Sequence, residues 1–119
     1  MYTFFEAKHS EDGGTASLTY DTARDLAQST SGVSLTTNIG NGNDESGCAE
    51  MYLFNPSSTT FVKHFITRSV YYDENGAGVR NAFGAGYRNT TSAVNAVEFK
   101  MDSGNMDSGT IKLYGIKDS

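Results

Sequence analysis

Apolar and aromatic residues in this chain recur at every second position, and turn signals interrupt them every eight to fourteen residues. Successive side chains on a strand point to opposite sides of a sheet, so this rhythm is that of strands with one face turned to a core. Short strands between regular turns belong to antiparallel sandwiches and barrels, not to βαβ folds. Eight segments carry the pattern: 2–7, 16–20, 33–39, 48–55, 59–72, 80–89, 93–101 and 110–117. Only Asp21–Ser29 (DTARDLAQS) has helical character, for one or two turns with Asp21 as N-cap. The expected fold is all-β, an antiparallel sandwich or barrel with about eight strands and at most that one short helix.

Composition agrees. Ser, Thr, Gly and Asn make up about two fifths of the 119 residues, and they favour turns and exposed strand faces over helix interiors. Seven Tyr and seven Phe supply residues that suit a pleated, half-buried surface. A chain of this length forms one domain with one core, here residues 1–119. It opens inside a strand (Met1-Tyr2-Thr3-Phe4-Phe5-Glu6), without the pattern of a signal peptide. The domain is therefore expected to lack its N-terminal strand or to be part of a longer product. Gly84 and Gly86 inside one strand point to a bulge or to a close approach by another backbone.

The net charge is −5, which disfavours binding to a phosphate backbone, so no nucleic-acid partner is expected. No apolar run approaches the length that spans a bilayer, so no membrane insertion is expected. Charge is unevenly spread. Residues 1–60 carry two bases and eight acids, a net of −6, and residues 61–119 carry seven bases and six acids, a net of +1. That asymmetry reads either as a solvated acidic surface or as complementarity between neighbouring copies.

Few residues point to chemistry. With Cys48 alone, neither an intrachain disulfide nor a cysteine-based zinc site can form, and no charged partner stands near it to activate the thiol. His9 and His64 stand in no metal-ligand spacing. Gly76-Ala77-Gly78 and Gly84-Ala85-Gly86 lack the third glycine and the following helix of a dinucleotide fingerprint. The acidic pairs Asp44-Glu45 and Asp73-Glu74 lie in glycine- and asparagine-rich loops without an EF-hand pattern, and read as solvated turns more readily than as a calcium site. No catalytic residue, metal ligand or cofactor is assigned. Tyr71, Tyr72 and Tyr87, with Arg88 beside them, are the candidate binding surface, since aromatic and basic side chains stack on sugars and anchor protein contacts. Core or edge packing is the alternative role for these tyrosines.

The most distinctive stretch is Asp102–Lys117, where Asp-Ser-Gly occurs twice, five residues apart, before a closing strand. Gly104-Asn105 permits a positive φ in the turn. Ser103-Gly104-Asn105, Ser108-Gly109-Thr110, Lys112 and Tyr114-Gly115 together resemble the SGN-x-x-SGT-x-K-x-YG ending of a group of β-sandwich virion proteins of tailed bacteriophages, of the marine and cyanophage type. Phe54–Thr60, Gly86–Ser92 and Ser92–Phe99 also resemble that group, so the likeness covers roughly residues 50–117. It implies an antiparallel β-sandwich of jelly-roll or lectin-like form on the virion surface, and it brings no catalytic residues. The expected role is a non-enzymatic structural protein, a capsid decoration or fibre-like appendage, that forms a homo-oligomer and contacts other virion proteins. The alternative is a tail-associated receptor- or carbohydrate-binding module whose partner is a host surface glycan.

Overall fold

The computed structural model describes residues 1–75 and 77–117. Gly76, inside the expected turn Asp73–Gly78, lies outside the described residues, as do Asp118 and Ser119. The chain is all-β. Its strands are β1 (Tyr2–Ser10), β2 (Ala16–Tyr20), β3 (Gly47–Leu53), β4 (Lys63–Asp73) and β5 (Gly78–Arg88). They form one antiparallel sheet in the order β2-β1-β5-β4-β3. β5 is central and pairs with β1 from Gly78 to Gly86 and with β4 from Gly78 to Arg88. β2 and β3 are the edges.

One face of the sheet is covered. Tyr2, Phe4, Tyr71 and Ala82 form its core, with Leu26, Val33, Ile39 and Phe65 packed against them. The Tyr2 ring stacks on Phe65 at 5.8 Å. The cover is the long connection from β2 to β3, and polar groups fasten it. The Tyr2 hydroxyl donates to the Ser34 carbonyl at 2.7 Å, Ser69 Oγ donates to the Leu35 carbonyl, and the Thr37 amide donates to the Tyr71 hydroxyl at 2.9 Å. These bonds explain why 33–39 is not the strand its periodicity suggests. Its apolar side chains do face the core, but its backbone bonds to side chains rising from the sheet, so it lies across the face instead of joining an edge. Only Ile39 makes a bridge, to Asp73.

The helix expected at 21–29 is a single hydrogen-bonded turn, and no α-helix occurs among the described residues. Asp21 does cap it, its carboxylate accepting from the Ala23 amide at 2.9 Å. The turn cannot propagate, because Leu26 exchanges two backbone bonds with Tyr2, at 2.8 and 2.9 Å, and is drawn into a β-bridge.

Five strands in one sheet stand where about eight in a sandwich were expected. Besides 33–39, the two missing segments are 93–101 and 110–117. Both have strand sequences, yet neither is paired, and among the described residues no backbone group from 95 to 117 bonds another backbone group. The expected close approach at Gly86 is present: a Cβ there would run into the Met1 carbonyl oxygen. At Gly84 the neighbour is a side chain, since a Cβ would occupy the position of the Tyr2 hydroxyl. Gly104 takes the positive φ expected of its turn, +72°.

Lys63, at the start of β4, is fully buried. Its ammonium donates to the carbonyls of Ser58 at 2.5 Å, Phe61 at 2.9 Å and Thr90 at 3.2 Å. One buried charge thus ties the β3–β4 connection to the chain leaving β5. Val94 adds a second tie, its amide donating to Pro56 at 2.8 Å. Replacing Lys63 by Met keeps the stem and removes three charge-assisted bonds, so urea unfolding should register a loss of about 2–3 kcal/mol.

Candidate functional site: an uncovered sheet face

The alternation that buries Tyr2, Phe4 and Tyr71 sends their neighbours to the opposite face, which no described segment of the chain covers. Phe5, Leu18, Tyr20, Tyr52, Ile66, Val70 and Val79 are all exposed there, Leu18 at 72%. Phe5 and Phe83 stack at 5.1 Å, and the Arg68 guanidinium lies 5.4 Å above the Phe83 ring. Monomeric soluble proteins seldom leave a contiguous apolar surface of this extent to water, and larger ones mark contact sites.

The four residues proposed from sequence do not form one surface. Tyr71 and Tyr72 are adjacent on β4, so their side chains point to opposite faces. Tyr71 is in the core and Tyr72 is half-buried on the open face beside Val79. Tyr87 is at the other end of β5, eight residues from Val79, or roughly 26 Å along an extended strand. It packs against His64 there, with ring centroids 5.8 Å apart. Arg88 ends β5 exposed, in the register of the covered face opposite Lys63.

Sequence reasoning missed a polar cluster beneath the cover. The Arg80 guanidinium, its side chain 12% exposed, pairs with Glu6 through Nη1 and lies with Nε 2.7 Å from Asp73 Oδ2. That second contact is an ion pair and not an aligned hydrogen bond, because the Nε–H is directed off the oxygen. Thr37 Oγ1 joins the cluster, 2.7 Å from the Tyr71 hydroxyl and 3.2 Å from Arg80 Nη1. Burial pulls the Arg80 pKa down, but the Asp73 and Glu6 carboxylates outweigh it and hold the guanidinium above its ordinary value. Burial also pushes the Tyr71 phenol up, with the Glu6 charge adding to the effect. Asp73 is therefore not the solvated turn residue its loop suggested, being 2% exposed. The cluster has a structural part: three charges from β1, β4 and β5 fix the register in which the cover sits.

Among the described residues, no group of three or more His, Cys, Asp or Glu could hold a metal ion. Cys48 is exposed at the start of β3, and Glu45 of the first acidic pair is held by the Gly42 amide at 2.6 Å. No protein-family model, curated protein or solved structure matches the chain. The open face is the feature on which a functional reading rests.

Proposed function

We propose that this chain is a non-enzymatic structural protein on the outer surface of a bacteriophage particle, a capsid decoration or fibre-like appendage that acts through contacts between subunits. The observation that carries the assembly part is the open face, an array of exposed apolar side chains on a rigid sheet whose other side is already packed. Apolar strand faces and free edges in virion-surface subunits are expected to find cover against neighbours, which adds stability by mass action. The second layer of the jelly-roll-like sandwich would then come from assembly. The phage part rests on the resemblance in Ser103–Gly115, a stretch whose exposure in the isolated chain is consistent with a contact role.

A gold-conjugated antibody to this chain tests the reading on intact particles. Even labelling of heads or fibres is the expected result, and unlabelled particles would remove the virion assignment. Label confined to the tail tip would favour the receptor- or carbohydrate-binding module instead, with Tyr52, Tyr72 and Tyr87 on the open face as stacking surfaces.

A further inference from the structure

The free edge of β3 and the end of the chain are complementary. β3 closes the sheet and, among the described residues, pairs only with β4, so alternate N–H and C=O groups along its outer side meet no described strand. From the start of β3 a groove of about 550 Å³ runs inward along the open face, lined by Cys48 on β3, Val70 and Tyr72 on β4 and Val79 on β5, and reaches Glu11 and Ser46. The surroundings are acidic. Desolvation and the charges of Glu11, Glu45 and Asp44 push the Tyr72 phenol up from its usual pKa.

Thr110–Lys117 has the opposite character. It alternates like a strand, carries Lys112 and Lys117 with no acid between them, and supplies Ile111, Leu113, Tyr114 and Ile116. Leu113 is 96% exposed and Ile116 90%. Its eight residues match the seven of β3 in length. A basic, apolar strand sequence with its backbone unpaired and an acidic, apolar edge with its backbone unpaired are thus present in one molecule, and the molecule's own fold joins neither to the other.

We propose that Thr110–Lys117 of one copy adds as a strand to the outer edge of β3 of a second copy, with its open-face side chains beside Cys48 at the near wall of the groove. The proposal rests on the assembly reading above and names its contact. Main-chain bonds along the edge supply affinity, and the groove and acidic rim set the register. Because donor and acceptor surfaces differ, the contact is heterologous and builds rings or filaments.

Cys48 gives the test, since the only native thiol lies in the groove. Full-length chain carrying Cys48→Ser and Tyr114→Cys is mixed with affinity-tagged wild-type chain under mild oxidation and run on a non-reducing gel. Leu113→Cys replaces Tyr114→Cys in a second mixture, so that both faces of the added strand are sampled. At least one mixture should give a tagged heterodimer about tenfold above that from Ser103→Cys, because docking raises the local thiol concentration. Leu113→Cys or Tyr114→Cys placed in a chain that keeps Cys48 reads the competing arrangement. An internally closed monomer there, with no heterodimer in the mixtures, would mean that the segment folds back on its own β3 and would overturn the proposal. Absence of every crosslink would overturn it as well. Unlabelled particles with a strong heterodimer would remove the virion reading and leave strand addition standing, whereas labelled particles with no crosslink would remove strand addition alone.

Discussion

Replacing Arg80 by Met should cost about 3–5 kcal/mol of folding stability, the largest single-residue loss expected in this chain. Met preserves most of the stem's packing, so the loss isolates the charge. Glu6 and Asp73 would each be left beneath the sheet's cover with no cation to offset its desolvation. Other ways of breaking the cluster differ in sign. Asp73→Asn in the Arg80→Met background removes one of the stranded charges, so the double variant should be more stable than Arg80→Met alone. The measurement is a double-mutant cycle in urea with the four chains at one pH. A cycle in which the two changes simply add would mean that Arg80 and Asp73 do not sense each other, and the cluster would then not be what holds the cover in place.

This cluster was hard to read in the sequence, and the reason is physical. Glu6, Asp73 and Arg80 come together only through the pairing of β1, β4 and β5, and no local pattern encodes that pairing. A partial signal was present. Tyr2, Phe4 and Glu6 share one face of β1, so a carboxylate sat in phase with the core aromatics and required a buried partner. The strands themselves were legible because period-two alternation is local. The same alternation in 33–39, 93–101 and 110–117 did not yield strands, since periodicity records which side chains are apolar and not whether an edge is available for the backbone. Segment 33–39 satisfies its apolar phase lying across the sheet, and 110–117 has no edge of its own chain against it. Tyr71 parts from the other candidate tyrosines for a simpler reason. Tyr71 and Tyr72 are consecutive in a strand, so they could not share a face, and the alternation already required one of them to be core.

If copies assemble through the open face as proposed, the double substitution Phe5→Ser and Phe83→Ser should abolish that self-association while leaving the sheet folded. The two rings stack on each other in the middle of the sheet, so the fold loses their mutual contact, about 0.5–1.5 kcal/mol. Assembly loses more. If each ring is covered by a neighbouring copy, its burial contributes about 1.5–3 kcal/mol, and losing both weakens the association constant by roughly a hundred- to ten-thousand-fold. Sedimentation or light scattering over a concentration series reads the change directly, and urea unfolding of the same samples separates it from a folding defect. The site of the substitution also divides the contact surface. Phe5 and Phe83 lie on β1 and β5, four residues from the groove residues His9 and Val79 and two or more strands from β3, so an oligomer that survives unchanged would confine the contact to the β3 edge. Conversion to monomer would instead mean that the whole open face is covered on assembly, which is what a second layer over this sheet requires.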